Sequence, residues 1–323
     1  MTGNDTGWHA LGLAIGHATN AEGATGCTVI RGRDRAFRCA AHLLGRASGT
    51  RELAVCQPDH LTDAVDAVLL TGGSAYGLDA AAGVMRWMEE RGRGHPIGTG
   101  VVPIVPAATI FDLVPLGQFS ARPTADMAYA ACESALSDVV EEGSVGAGAG
   151  ATVGKITGPA FAMKGGVGCG HANNDTVSAS AIVVTNALGD VRDGQGTIIA
   201  GARTSTGQFA DGERVLRTAS PSVTTRGNTT IALVAVSASL TKGQLAQIAA
   251  ATSAAFFRRI TPCGTSFDGD VIFAACPPTG RAAPMPVVEA LAVAAMERAI
   301  ERSVRTARGR DGIPGLGDVN AAG

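Results

Sequence analysis

The sequence predicts an α/β protein in which mixed β-sheets are covered by helices. Its β-branched apolar runs, such as 27–30 and 228–240, are typical of buried strands, whereas 78–90 and 286–305 favour helices. Strands and helices intermix along the chain without strict strand–helix–strand alternation. This order favours mixed sheets with a helical cover over a doubly wound nucleotide-binding fold.

Local signals predict the remaining elements. Thr241 predicts the N-cap of a helix that ends near residue 259. Two prolines within 101–113 predict an edge strand or a buried irregular segment, because proline cannot donate to a sheet ladder. The segment 202–227 is rich in Thr, Ser, Gly and Arg, which predicts an exposed loop. Further strands are predicted at 64–73, 178–191 and 267–276, a further helix at 124–142, and a frayed tail after 305.

Composition and charge exclude several classes of partner. With 323 residues, of which 46% are hydrophobic, the chain can bury a sizeable core, and we expect one domain over 1–323. The 26 basic residues form no cluster, so nucleic acid is not an expected partner. The N-terminus lacks the features of a secretory signal and no apolar run reaches membrane-spanning length, so we expect a cytoplasmic protein with no membrane partner. The chain has 44 glycines and few aromatic residues, so it gains little stability from burying large side chains. Association of subunits would bury additional surface, and we therefore expect a homo-oligomer.

Neither the cysteines nor the histidines suggest a metal site. The seven cysteines are odd in number and lack CxxC pairing, which favours buried reduced thiols over disulfides or zinc ligands. The six histidines occur singly, with no spacing that would gather a metal ion. We therefore expect no metal and no cofactor.

Two familiar motifs are present only in part. GATVGK at 150–155 resembles a phosphate-binding loop, but Ala149 stands where that pattern needs glycine and Ile156 where it needs Ser or Thr. Lys155 is then either an ammonium close to a nucleophile or a solvated loop lysine. GGSAYG at 72–77 lacks the spacing of a serine nucleophile elbow, so a Ser-His-Asp hydrolase is not supported.

The tripeptide that starts at Asn228 has three interpretations. It is a glycosylation sequon without a secretory setting, the start of a buried strand, or a self-cleavage site. In the third case the Thr229 hydroxyl attacks the preceding carbonyl, and water resolves the ester into a new N-terminal threonine. The freed α-amine, which titrates near neutrality, then serves as the base for its own hydroxyl.

FDGD at 267–270 places two carboxylates two residues apart at the start of a strand. If the segment is extended, Asp268 and Asp270 lie on one face of it and could orient Thr229. A polar turn that begins a strand is the alternative.

Seven motifs occur in order along the chain: GATGCTVI (23–30), GGSAYGLDAAAGV (72–84), VPIVPAATIFDL (102–113), GSVGAGAGATVGK (143–155), VVTNALGD (183–190), GNTTIALV (227–234) and FDGD. Together they resemble the L-aminopeptidase/D-amidase peptidase family, which includes β-peptidyl aminopeptidases and nylon-oligomer hydrolases. The resemblance implies a four-layer α/β/β/α sandwich like that of the N-terminal nucleophile hydrolases, with different strand connectivity. It also implies maturation into chains 1–228 and 229–323, with Thr229 as nucleophile.

The same resemblance implies roles for further residues. Asn186 becomes the amide that orients the substrate or the oxyanion, and Lys155 a site lysine beside the nucleophile. Several members have Tyr where this chain has Phe111, so a phenolic donor is missing and its role falls to Asn186 or to backbone amides.

The combination of Asn228-Thr229 with Asp268 and Asp270 is most similar to the nylon-oligomer branch, because aminopeptidase members usually have Ser and Glu at the two aspartate positions. We therefore expect hydrolysis of linear oligoamides such as 6-aminohexanoate oligomers, by a homo-oligomer whose expected form is a tetramer of processed heterodimers. Two alternatives stay open: an aminopeptidase that releases N-terminal L-, D- or β-amino acids, and an unprocessed homologue that binds a small amide without turnover.

Overall fold

The computed structural model describes residues 7–218 and 227–321, which form a mixed α/β protein. The strands are β1 Leu13–Asn20, β2 Thr25–Gly32, β3 Phe37–Leu43, β4 Gly49–Arg51, β5 Ala64–Val65, β6 Ala67–Thr71, β7 His95–Pro96, β8 Val101–Val102, β9 Ala107–Thr109, β10 Thr152–Val153, β11 Met163–Lys164, β12 Val167–Asn173, β13 Ser178–Asn186, β14 Asp190–Arg192, β15 Ile198–Ala200, β16 Thr229–Val236, β17 Ile260–Thr261 and β18 Val271–Cys276. The helices are α1 Ala81–Glu89, α2 Ala125–Glu133, α3 Gly212–Thr218, α4 Lys242–Arg259 and α5 Met285–Arg305.

The larger main sheet has six strands in the order β12-β13-β16-β18-β3-β5. β16 is antiparallel to β13 and parallel to β18. Its side chains alternate between two apolar clusters, because successive residues of a strand point to opposite faces. Leu233 packs into a cluster shared with the second main sheet, whereas Val234 packs into the cluster that contains α4 and α5. β16 is therefore buried on both faces, as its continuous apolar run predicts.

The second main sheet has five strands in the order β1-β2-β6-β9-β4. Ile30 and Leu70 from this sheet share one fully buried cluster with Ile182 and Phe273 from the six-stranded sheet. A third cluster joins the five-stranded sheet to α1 and α2. At roughly 1.5–3 kcal/mol for each large apolar side chain removed from water, these clusters supply much of the driving force for folding.

Glycines in β12 allow α5 to lie directly on the sheet. A Cβ atom at Gly168 would lie 2.1 Å from the Ala299 carbonyl oxygen, and one at Gly170 would lie 2.1 Å from that of Ala295. No other residue type fits at these positions unless the helix moves away. The glycine-dense run around 164–170 is thus explained by packing.

Several elements confirm the sequence analysis. The mixed α/β class is confirmed, and α4 begins after Thr241 with a capping box in which Thr241 and Gln244 satisfy each other's backbone N–H groups. α5 begins one residue before its predicted start, and α1 is preceded by a 3₁₀ turn at Ser74–Ala80. No helix in the described ranges is long and apolar enough to cross a bilayer.

The predicted helix at 124–142 is wrong beyond α2. The Leu136 N–H donates to the Ile15 carbonyl at 2.9 Å, and the Ile15 N–H donates to the Leu136 carbonyl at 2.7 Å. The chain after α2 therefore follows the edge of β1, where the strand offers unpaired backbone groups. The segment 101–113 fits its two predicted alternatives in part: 103–106 is irregular and mostly buried, whereas β9 lies inside the five-stranded sheet, between β6 and β4, and not at its edge.

The predicted exposed loop at 202–227 is wrong in part. The Asp190 carboxylate accepts from the backbone N–H groups of Ala202 and Gly212, both at 2.7 Å, and α3 follows. Residues 219–226 lie outside the described residues. The expected frayed tail is also wrong over 306–318, because the Gly317 N–H donates to the Ala307 carbonyl and Ile313 is buried.

Candidate active site

The Asn228-Thr229 bond lies at the mouth of β16, and both residues are buried. The Thr229 hydroxyl donates to the carbonyl oxygen of Asn228 over 2.6 Å. The Gly269 N–H donates to the same oxygen over 2.9 Å. The hydroxyl thus lies beside the carbonyl that it would attack, and a backbone donor already polarises that carbonyl.

Parallel pairing of β16 with β18 explains why FDGD lies beside this bond. The register aligns Ile231 with Val271, and the pairing extends backwards to a bridge between Asn228 and Asp268. A Cβ atom at Gly269 would lie 2.8 Å from the Thr229 hydroxyl oxygen and 2.6 Å from the Ala47 carbonyl oxygen. Glycine is therefore required between the two aspartates for this close approach.

Asp268 and Asp270 are buried and hydrogen-bonded. Asp268 accepts from the Thr265 N–H at 2.8 Å, and Asp270 accepts from the Thr230 N–H at 2.6 Å. Burial raises the pKa of both carboxyls, and the charge of Asp268 further raises that of Asp270, to about 7. An ordinary polar turn would be exposed to solvent, whereas both carboxylates are buried, 2% exposed each.

Lys155 is buried, so it is not a solvated loop lysine. Its Nζ donates to the Thr152 carbonyl at 3.0 Å and to both the backbone oxygen and the side-chain Oδ1 of Asn186 at 2.9 Å. Burial lowers its pKa to about 7, against the opposing attraction of Asp268 and Asp270. The ammonium therefore lies near both aspartates and holds the backbone and side chain of Asn186.

Asn186 is the ladder partner of Thr229 across β13 and β16. Its Oδ1 accepts from the Thr152 N–H and from Lys155, which fixes the orientation of the amide. Its Nδ2 consequently donates to the carbonyls of Phe111, at 3.1 Å, and Gly227, at 3.3 Å. The amide donor is therefore aimed at the segment that precedes the Asn228-Thr229 bond.

A cavity of about 340 Å³ opens on this bond. Its described lining consists of backbone, small side chains and two phenyl rings, with no Asp, Glu, Lys or Arg among them. Such a lining suits an uncharged chain better than a charged group. The described lining residues are Ala47, Ser48, Gly49, Ser74, Ala75, Thr109, Ile110, Phe111, Gly227, Asn228, Thr229 and Phe267.

The structure thus brings together all six residues singled out from the sequence around the Asn228-Thr229 bond, and it adds others that the sequence analysis missed. Gly269 and Thr265 donate through backbone N–H groups, which no side-chain pattern reveals. Cys263, whose thiol lies 3.5 Å from Asp270 Oδ2, was treated only as a buried reduced thiol. All seven cysteines are free, and six of them are buried. Within 7–218 and 227–321, no group of three or more His, Cys, Asp or Glu side chains could hold a metal ion.

Comparison with known proteins identifies the family. The sequence matches peptidase family S58 over residues 10–316. The chain belongs to this family. It is 42% identical over 240 residues to an uncharacterized aminopeptidase of Mycobacterium bovis, covering 71% of this chain and 67% of the relative. It is 32% identical over 276 residues to the 6-aminohexanoate-oligomer endohydrolase of Paenarthrobacter ureafaciens, covering 81% and 72%.

Two solved structures share the fold. The L-aminopeptidase D-Ala-esterase/amidase of Ochrobactrum anthropi, described as a variant of the Ntn hydrolase fold, matches with a TM-score of 0.70 at 18% identity, over 93% of this chain and 86% of that one. A β-aminopeptidase of a Burkholderia species matches with a TM-score of 0.67 at 18% identity, over 95% and 87%. The family match and the relatives named aminopeptidase and endohydrolase show that this S58 protein is a hydrolase of amide bonds.

Proposed function

We propose that this S58 protein cleaves itself between Asn228 and Thr229 and then acts as an N-terminal-threonine amide hydrolase. The observation that carries the proposal is the 2.6 Å contact between the Thr229 hydroxyl and the Asn228 carbonyl, which also accepts from Gly269. The products are chains 1–228 and 229–323 of one hydrolase domain. We also propose that its layers form the α/β/β/α sandwich of N-terminal nucleophile hydrolases.

In the self-cleavage step, the Thr229 oxygen bonds to the Asn228 carbonyl carbon while the hydroxyl proton passes to a nearby base. The Gly269 N–H stabilises the negative oxygen that develops, because its donor is already in place. The carbon–nitrogen bond then breaks, the nitrogen takes up a proton, and an ester remains. Water hydrolyses the ester to a carboxylate on Asn228 and a free Thr229.

In turnover, the α-amine of Thr229 accepts the proton of its own hydroxyl and returns it to the leaving amine of the substrate. An acyl ester forms and water hydrolyses it. Asn186 Nδ2 and the Gly269 N–H both donate to the segment that ends at Asn228. Departure of this segment frees both donors for a substrate carbonyl. In this proposal Asp268 and Asp270 orient Thr229, and Lys155 orients the Asn186 amide.

We propose linear oligoamides of ω-amino acids, such as 6-aminohexanoate oligomers, as substrates. The support is the cavity, whose described lining contains no Asp or Glu side chain to bind a substrate ammonium, together with the relatives named as 6-aminohexanoate-oligomer endohydrolases. Burial of a polymethylene chain contributes about 0.8 kcal/mol per methylene.

An aminopeptidase is the second candidate, because the relatives with 42% identity are named as aminopeptidases. Turnover of a 6-aminohexanoate oligomer series beside β-alanyl, D-alanyl and L-alanyl anilides separates the two. Release from the anilides with no oligomer cleavage would reject the oligoamide substrate and leave the Thr229 mechanism standing. An intact, folded and inactive chain would instead support a binding homologue without turnover.

We further propose a homo-oligomer, with a tetramer of processed heterodimers as the expected form. Exposed apolar side chains such as Leu136 and Val139, which are 61% and 62% exposed, support additional burial on association. Light scattering after size-exclusion chromatography tests this. A monomeric mass at micromolar concentration would reject it.

A further inference from the structure

The segment 263–265 contacts both carboxylates of FDGD. The Thr265 N–H donates to Asp268, and the Cys263 thiol lies 3.5 Å from Asp270 Oδ2, within the range of an S–H hydrogen bond to a carboxylate. The other oxygen of Asp270 accepts from the Thr230 N–H. Both oxygens of this carboxylate are thus held, one from β16 and one from Cys263.

Cys263 differs from the other six cysteines in being partly exposed. Burial within the protein and the two nearby aspartates raise the pKa of its thiol well above the ordinary value. The sulfur therefore keeps its proton at neutral pH and can act as a donor. A thiolate at the same place would repel the charged form of Asp270, so the 3.5 Å contact favours the S–H form when Asp270 is charged.

We propose that Cys263 is a positioning residue, whose S–H donates to Asp270, fixes the orientation of its carboxylate and favours its charged form. The contribution of Asp270 to the chemistry of Thr229 rests on the proposed function. The hydrogen bond itself does not, so the two claims can be tested separately.

Among the described residues, three charged or titratable groups act on Asp270 and set the direction in which its pKa should change. Asp268 disfavours the charged form, whereas Lys155 and the Cys263 thiol favour it. Removal of the thiol leaves the repulsion from Asp268 in place. The pKa of Asp270 should then rise, because its anion has lost a donor.

The test measures the titration of the Asp270 carboxyl by carbon NMR in protein labelled with ¹³C at aspartate side chains, with Asp270→Asn to assign the signal. We compare the wild type with Cys263→Ala, which removes the donor, and Cys263→Ser, which retains one. Cys132→Ala, in α2 and away from the site, is the matched control for loss of a buried thiol. We expect the titration midpoint of Asp270 to rise by roughly 0.5–1 pH unit in Cys263→Ala. It should return to the wild-type value in Cys263→Ser and stay unchanged in Cys132→Ala.

The rate of conversion into two fragments is then followed across pH in the same variants. The pH below which this rate falls should shift together with the midpoint of the Asp270 titration. At a pH below that midpoint, Cys263→Ala should therefore convert about 3–10-fold more slowly than the wild type. Equal midpoints in the wild type and Cys263→Ala, or equal shifts in the Ala and Ser variants, would overturn the positioning role. A shifted midpoint without fragments at any pH would keep the Cys263 contact and reject self-cleavage.

Discussion

Two lysines of this S58 protein are buried in similar ways and differ in what they hold. Lys155 and Lys164 each direct Nζ at three oxygen acceptors, and burial lowers the pKa of each to about 7. All three acceptors of Lys164 are backbone carbonyls of the glycine-rich stretch, at Gly148, Ala149 and Ala151. One acceptor of Lys155 is instead the side-chain oxygen of Asn186, and two aspartates lie nearby.

The difference separates a structural cation from a candidate catalytic one. Lys164 binds the backbone of the glycine-rich stretch, which has few large side chains of its own. The charge of Asp112 partly offsets the unfavourable burial of the Lys164 ammonium. Lys155 orients an amide whose other end faces the Asn228-Thr229 bond. Burial and a perturbed pKa are therefore insufficient to assign function, and the identity of the acceptors decides it.

The largest expected effect is a contrast between Lys155→Met and Lys164→Met. Lys155→Met should slow self-cleavage at least about 100-fold, because the Asn186 amide loses the cation that orients it. Lys164→Met should lower the free energy of unfolding by about 3 kcal/mol, because it leaves buried carbonyls without a donor, while cleavage continues in the folded fraction. Fragment formation and urea unfolding measure the two effects. Equal cleavage rates in both variants would remove the distinction.

Asp268→Asn and Asp270→Asn should each slow cleavage roughly 10–100-fold, with folding largely retained, because the amide keeps the volume and loses the charge. Gel analysis of fragment formation over time, with circular dichroism as the check on folding, provides the measurement. If maturation and turnover were unaltered in both variants, FDGD would be only a structural turn with no role in the chemistry.

The pH dependence of self-cleavage sharpens the same comparison. Because burial and Asp268 raise the pKa of Asp270 to about 7, its carboxyl is protonated below that pH. The cleavage rate should fall about tenfold for each pH unit below the midpoint. An acid limb near pH 4, the ordinary range of an aspartate, would contradict the burial of this charge beside Asp268.

The smallest expected effect is that of Phe111→Tyr, which restores the phenol seen in several family members. Asn186 and Gly269 already supply two donors near the scissile carbonyl. We expect turnover to change by less than about tenfold. An increase of more than about 100-fold would mean that the site of this chain lacks a donor.

Local patterns in the sequence predicted the elements that local rules control, such as the capped helix α4 and the apolar strand β16. They failed where tertiary contacts decide, as after α2, where Leu136 pairs with Ile15 of β1 instead of continuing the helix. Thr229, Asp268 and Asp270 were predicted from side chains with recognisable chemistry, whereas the role of Asn186 was implied only by the family resemblance. The Gly269 N–H and the Cys263 thiol were missed because their contacts with Asn228 and Asp270 depend on the register of β16 with β18 and on a loop path.

The central claim is that the Asn228-Thr229 bond breaks itself, and intact-mass measurement of purified, folded protein tests it most directly. The wild type and Thr229→Ser, which keeps a hydroxyl, should convert to two associated chains, 1–228 and 229–323, with N-terminal sequencing of the second starting at residue 229. Thr229→Ala should remain one chain. A single uncleaved mass for the folded wild type after prolonged incubation, or a cut at another bond, would contradict the account.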